Sequence, residues 1–254
     1  MVHNSFNVDS SKTLIPGTLY LVATPIGNME DITVRALRVL RDCDLVAAED
    51  TRHTGQLLRH FQIQKPMISY FRFNEAKRSE EIVGRLGRGE TIALVTDAGS
   101  PGISDPGERV VRSALAAGFR VEPVPGPCAL VAGLTASGIA SDRFVFLGFL
   151  PHKSGQRRKL LAHFLNYGST LVLYESPFRV EKLIEELGDL APLRHVVFAR
   201  ELTKKFEEFV RGTPSEIKLR FAERKPKGEF VVIISASEQK VIKSDTDMET
   251  ANES

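Results

Sequence analysis

Tryptophan is absent from this 254-residue chain, and there are only two cysteines, four methionines and four tyrosines. Cys43 and Cys128 are too few for the disulfide framework of a small secreted domain, and neither belongs to a CxxC pair. The six histidines show no HExxH or HxH spacing, so no metal site is expected. No apolar run approaches the ~18 residues of a membrane helix. Met1–Lys12 is polar and lacks the apolar core of an export signal. The chain is therefore expected to be cytoplasmic. Three ligand fingerprints are missing as well. The GxGxxG dinucleotide loop, the GxxxxGK[ST] phosphate loop and the GxSxG nucleophile elbow do not occur.

What the chain does have is a set of glycine- and proline-rich turns, each following a strand-like apolar run. Thr24-Pro25-Ile26-Gly27-Asn28 follows Leu19–Ala23, the string DAGSPGISDPG at 97–107 follows Thr91–Val95, and PGPCAL at 125–130 follows Arg120–Val124. Open α/β sheets bind ligands at the carboxyl ends of their strands, where such turns lie. Glycine lets backbone approach a ligand, and proline fixes the turn. Any one of these could be an ordinary βα turn; several together point to a small-molecule site built from shape and backbone groups.

The residues up to 136 alternate strand and helix, which predicts a parallel sheet covered on both faces. Predicted helices include about 31–41, with Ile32, Val34, Leu37 and Leu40 on its apolar face, and about 106–117. The second is capped by Asp105-Pro106 and stopped by Gly118. Residues 144–235 have a shorter period and predict a mixed or antiparallel sheet. The expected fold is thus two-domain α/β: a parallel-sheet domain at 17–136 and a mixed-sheet domain at 137–236. Residues 1–16 and the acidic tail 237–254 are expected to be disordered.

Net charge is +2, but it is unevenly spread. Residues 1–150 hold 16 Lys/Arg and 16 Asp/Glu, whereas 151–228 hold 16 against 10, an excess of six. Such asymmetry attracts polyanions, although six charges alone are equally consistent with solvated helix faces. The basic groups cluster at Lys153, Arg157, Arg158 and Lys159, at Arg200, Lys204 and Lys205, and at Arg224, Lys225 and Lys227. Three clusters within 80 residues can track a phosphate backbone. In Glu49-Asp50-Thr51-Arg52-His53, Asp50 or Thr51 suits an N-cap. Capping leaves Arg52 and His53 unexplained, and the chemistry of the segment suits a general base or a substrate clamp. Neither cysteine has a His–Asp constellation near it in sequence, which argues against a nucleophile.

Five strings carry a resemblance: LVATPIGN at 21–28, AEDTR at 48–52, TDAGSPGISDPG at 96–107, GFLP at 148–151 and YESP at 174–177. Over about 17–234 the chain resembles the tetrapyrrole methylase superfamily, and within it the small-subunit ribosomal RNA methyltransferase I branch. That resemblance implies an S-adenosylmethionine-dependent enzyme whose two α/β domains hold the folded cofactor in the cleft between them. It implies 2′-O-methylation of a cytidine ribose in the decoding region of 16S rRNA, in the assembled small subunit, by a homodimer. It assigns Pro25, Ala98, Gly99, Ser100, Pro101, Gly102, Ile103, Cys128, Ala129 and Tyr174 to the cofactor pocket, with Leu202 and Phe230 as neighbours. Glu49, His53 and Glu201 become the candidate bases, and Arg52, Lys153, Arg157, Arg158, Arg200 and Lys204 the candidate RNA contacts. Two departures point away from a tetrapyrrole substrate. Ala23–Asn28 lacks the GxGPGD-type first loop of the porphyrin-methylating relatives, and Ser100 stands where they carry an acidic residue. Two other functions are consistent with parts of the pattern: a small-molecule methyltransferase and a non-catalytic RNA-binding module.

Overall fold

A computed structural model describes residues 13–222 and 226–236, and these divide into two compact units. One runs to Ala132 and takes in Leu202–Lys205; the other comprises Gly133–Glu201 and the chain from Phe206 onward. Residues 1–12, the acidic tail 237–254 and the basic pair Arg224-Lys225 lie outside the described residues. Residues 13–16, expected to be disordered, are part of the first unit: Leu14 is buried against its core, and the Ile15 N–H donates to the Tyr20 hydroxyl at 2.9 Å.

The first unit is a five-stranded parallel sheet, β1 (Thr18–Val22), β2 (Leu45–Ala48), β3 (Met67–Ser69), β4 (Ile92–Val95) and β5 (Arg120–Val124), in the order β3-β2-β4-β1-β5. β2 and β4 are buried throughout, as strands covered on both faces must be. Alternate side chains feed two cores. Tyr20, Val22, Val46, Ala48, Ala93 and Val95 pack with α1 (Val34–Asp42) and α2 (Thr51–His60). Leu19, Leu45, Ala47, Ile92 and Leu94 pack with α3 (Glu75–Gly87) and α4 (Glu108–Ala116). Fully burying each such aliphatic side chain contributes about 1.5–3 kcal/mol.

Local chemistry sets the helix ends. The Thr33 hydroxyl accepts the Ala36 N–H at 3.1 Å and starts α1 at Val34, later than predicted. That phase buries Ala36, Val39 and Leu40 and leaves Val34 47% exposed, so Val34 is not a core position. α4 likewise starts beyond Asp105-Pro106. Gly107 occupies its N-cap with φ +151°, a conformation open to glycine, and its N–H reaches the Glu75 carboxylate at 3.3 Å. Gly118 (φ +80°) closes α4 as predicted. Gly84, in mid-α3, is solvent-exposed and has no atom within 4 Å of a built Cβ. Gly84→Ala is therefore expected to raise stability by roughly 0.5–1 kcal/mol, read as a higher urea midpoint at unchanged slope.

The second unit is a mixed sheet, in the order β6-β7-β10-β8-β9. β6 (Phe144–Phe149) runs parallel to β7 (Thr170–Glu175). β10 (Phe230–Ile234) is antiparallel to both β7 and β8 (Val196–Arg200), and β9 (Glu208–Gly212) is antiparallel to β8. After α5 (Ala129–Thr135), Leu171, Leu173, Phe198 and Val232 of this sheet share one core with α6 (Ser154–Leu165), α7 (Val180–Leu190) and α8 (Pro214–Ala222). Among the described residues no helix is long and apolar enough to cross a membrane.

Candidate active site

The strand order creates the site. β1 and β4 are neighbours, yet the chain leaves β1 for α1 on one face and leaves β4 for α4 on the other. That makes the carboxyl ends of those two strands a topological switch point, where open α/β sheets bind their ligands. The loops are pinned where they part. Thr24 and Gly99 exchange both backbone hydrogen bonds, at 2.9 and 3.0 Å, and the Thr24 hydroxyl donates to the Thr96 carbonyl at 3.1 Å. Beyond that pin, Gly99, Gly102, Ser104 and Gly107 all take positive φ. For Ser104 (φ +66°) this is a strained conformation of the kind found at ligand sites.

Three carboxylates meet at the ends of β2 and β4. The Asp97 N–H donates to Glu49 Oε2 at 3.3 Å, and the Asp50 N–H donates to Asp97 Oδ1 at 3.1 Å. Burial pushes the Glu49 carboxyl above the ordinary glutamate range, against the Asp97 N–H, and neighbouring Asp97 and Asp50 add to the rise. Asp50 is pulled far down, chiefly by its hydrogen bonds with the Arg52 side chain and backbone. Asp50 is the α2 N-cap, as predicted; the Arg52 side chain folds back onto it at 2.6 Å. His53 lies exposed on the same first turn.

S-adenosylmethionine is the cofactor these residues would have to hold, and several features fit it. Thr96 Oγ1 is buried with no hydrogen-bond partner among the described residues, at the strand end that feeds the pinned loop. A Cβ on Gly126, after β5, would come within 2.9 Å of the Ala23 Cβ, so that crossing admits only glycine. The Ser100 hydroxyl donates to the Pro127 carbonyl at 3.3 Å, tying the 97–107 loop to the turn that precedes Cys128 and Ala129. Pro25, Ala98–Ile103, Cys128 and Ala129 thus follow three adjacent strands, β4, β1 and β5, and Leu202 belongs to the same unit. Among the described residues no cluster of His, Cys, Asp and Glu could hold a metal ion.

Other predicted site residues are placed differently. Tyr174 and Phe230 lie in the second unit. Tyr174 packs edge-on to Phe146 and Phe149, at 5.0 and 5.6 Å, and the Phe230 ring lies in the core with Phe198 and Phe221. The Glu201 carboxylate accepts the Glu229 N–H at 3.0 Å, in space left by Gly228, whose built Cβ would sit 2.4 Å from the Glu201 Cγ. Glu201 is thereby committed to its own sheet edge. The structure places Arg157 inside the fold: its side chain is 3% exposed and forms a two-pronged pair with Glu186, at 2.6 and 2.7 Å. Arg200 is also spent within the fold, on Glu208 and on the Phe206 and Lys227 carbonyls. Arg158 pairs with Asp189 at 2.8 Å on the surface, Lys153 is exposed, and Lys204 is half-buried beside Gly27. Cys43 is inert, its thiol pushed up to about 11 by burial.

Sequence reasoning overlooked Thr24, Thr96 and Asp97. Their signal was available, since all three stand at the carboxyl ends of β1 and β4. It also missed an open cavity of about 890 Å³ in the first unit, lined by Glu49, Arg72, Glu75, loop residues 104–107 and the start of α4.

Comparisons with known proteins bear on this geometry. Residues 18–218 match the family model for Tetrapyrrole (Corrin/Porphyrin) Methylases. Proteins named Ribosomal RNA small subunit methyltransferase I are similar over most of both lengths. The one from Synechocystis sp. is 49% identical over 87% of this chain and 80% of its own, and the one from Xylella fastidiosa 48% over 87% and 82%. Among solved structures, uroporphyrin-III C-methyltransferase from Thermus thermophilus complexed with S-adenosylhomocysteine is 22% identical, with a TM-score of 0.60 over 86% of this chain and 97% of that one. Diphthine synthase is 15% identical, with a TM-score of 0.69 over 87% and 91%. At those identities the structures speak for the fold alone.

Proposed function

This chain belongs to the ribosomal RNA small subunit methyltransferase I family of the tetrapyrrole methylases, and from that premise we propose that it methylates the ribose 2′-hydroxyl of a cytidine in the decoding region of 16S rRNA. It is an S-adenosylmethionine-dependent methyltransferase acting on rRNA. The observation that carries the substrate is the identity of nearly half, over most of both chains, to proteins of that name. The choice of cytidine, its 2′-oxygen, the decoding region, the assembled subunit, the homodimer and a cytoplasmic setting rest on the sequence resemblance.

When bound, S-adenosylmethionine supplies an electrophilic methyl group, so the protein is left with positioning and with one proton. The pinned 97–107 loop and the turns after β1 and β5 would hold the cofactor, mainly through backbone and the Thr96 hydroxyl. Holding two reactants in register supplies roughly 7–11 kcal/mol of a barrier in favourable cases. A ribose hydroxyl is a poor acid, and Glu49 is the base that the geometry favours over His53 and Glu201. It is half-buried, borders the open cavity and has its proton affinity raised by burial. Glu201 is held by the Glu229 backbone, and His53 stands in solvent.

Glu49→Gln is expected to lower kcat roughly a hundredfold, a typical general-base contribution. The sign of the pH dependence follows from the raised carboxyl. Wild-type turnover should fall as pH drops through a value above the ordinary glutamate range, and the variant should lack that limb. A variant with full turnover and an unchanged profile would remove Glu49 from the chemistry. A tetrapyrrole acceptor, the alternative reading, is supported only by fold neighbours such as the uroporphyrin enzyme, at identities that carry no substrate.

A further inference from the structure

The cavity of the first unit carries groups that neither the fold nor the cofactor explains. Arg72 lines it from the β3–α3 connection, Phe71-Arg72-Phe73-Asn74, a segment that is anchored from below. The Asn74 side chain accepts the Phe71 N–H at 2.9 Å and donates to the Ser69 carbonyl at 3.2 Å. Glu75 accepts the Tyr70 hydroxyl at 3.1 Å and the Gly107 N–H, joining this segment to the opposite wall. Yet the connection presents apolar rings to water on either side of Arg72: Phe73 is 91% exposed and Phe71 38%, their centroids 6.4 Å apart. Burying Phe73 in the core would have been favourable, so a fixed loop that holds it out calls for an explanation.

The charges beside it are equally unspent. Most arginines of the described residues are ion-paired or hydrogen-bonded to carbonyls. Arg72 and Arg109 have no such partner among the described residues, both are exposed, and both line this cavity. Two free guanidiniums beside a projecting aromatic ring form a recognised arrangement for single-stranded nucleic acid. The ring stacks on a base and the cations hold its phosphates. Duplex RNA does not fit, because its bases are already stacked. The volume, about 890 Å³, accommodates a nucleotide.

We propose that an unpaired nucleotide of the RNA substrate docks at the edge of this cavity, with its base on the exposed Phe73 ring and its flanking phosphates on Arg72 and Arg109, which line the cavity beside it. This rests on the function proposed above, and it moves the RNA-docking surface from the basic clusters between residues 153 and 227 to this cavity of the first unit. Glu49 lines the same cavity, so RNA docked there lies beside the candidate base.

The test uses the full chain with two variants, Phe73→Ala and Arg72→Ala/Arg109→Ala, whose side chains are exposed and whose loss should leave the melting curve unchanged. The probes are fluorescein-labelled oligocytidylate and a labelled RNA duplex, with S-adenosylmethionine affinity measured alongside. Each variant should bind oligocytidylate at least tenfold more weakly, leave cofactor affinity unchanged and alter duplex binding little. The double arginine variant should also reduce the salt dependence of single-strand binding by one to two phosphate contacts, a slope change of about 0.7–1.4. Wild-type oligocytidylate affinity and salt slope in both variants would overturn the inference. If the wild-type protein transferred no methyl to rRNA, the proposed function would fail; the cavity would still be judged by oligocytidylate binding alone.

Discussion

Replacing Glu186 with alanine is expected to destabilise the second unit by roughly 3–5 kcal/mol, because it strands a buried guanidinium. Arg157 and Glu186 are 3% and 5% exposed, and every donor set in the pair is used. Arg157 gives Nε and Nη2 to the two carboxylate oxygens and Nη1 to the Pro151 and His152 carbonyls at 3.1 Å, while the Ser154 hydroxyl donates to Glu186 at 2.6 Å. The pair ties the β6–α6 connection to α7. Burial alone would push the Glu186 carboxyl up, but the hydrogen bonds from Arg157 and Ser154 outweigh it and hold it below the ordinary range. A depressed carboxyl stabilises the fold above its unfolded value of about 4.3 and loses that contribution as pH falls through the folded value. Wild-type stability should therefore decline on acidification below about pH 4, and Glu186→Ala should blunt that decline. Urea unfolding gives both quantities, and Arg157→Met/Glu186→Leu should recover most of the loss. A cost below about 1 kcal/mol would mean a solvated pair, and would return Arg157 to the candidate RNA contacts.

Gly99→Val is expected to weaken S-adenosylmethionine binding tenfold to a hundredfold with the fold intact. Gly99 has φ +84°, and a branched side chain there costs about 1–3 kcal/mol. A Cβ would also lie 3.4 Å from the Ile26 Cγ2 and 3.7 Å from the Pro127 carbonyl, crowding two of the three turns that surround the proposed cofactor site. The loop can relieve that strain only by giving up its paired hydrogen bonds with Thr24, at the junction of β1 and β4. Calorimetric titration with the cofactor, beside a circular-dichroism melt, separates the outcomes. Unchanged affinity at an unchanged melting temperature would move the cofactor away from this loop.

The parallel sheet was legible because β2 and β4 are short, wholly apolar runs between helical repeats, a pattern that only two-sided burial requires. The turns were legible because glycine and proline mark backbone that must bend or approach a ligand. Helix starts were less so. The first helix begins at Val34, capped by Thr33, rather than near residue 31, and Gly107 rather than Asp105 caps α4, because cap geometry depends on where the chain arrives from, which composition does not encode. The basic clusters misled for a similar reason. Arg157 and Arg200 look alike in sequence to Lys153, but their carboxylate partners, Glu186 and Glu208, are supplied by other elements. Assignment of Leu202–Lys205 to the first unit, far from its other residues in sequence, left no local signal either. Phe71-Arg72-Phe73 gave no signal of its exposure, since apolar residues after a strand are ordinarily core.

The most direct measurement is transfer of labelled methyl from S-adenosylmethionine to small ribosomal subunits that lack the native modification, followed by nucleoside analysis of the RNA. Label is expected in 2′-O-methylcytidine alone, absent without the protein and reduced in the Glu49→Gln and Gly99→Val variants. Label in a base-methylated nucleoside, or none in RNA while the cofactor still binds, would contradict the account.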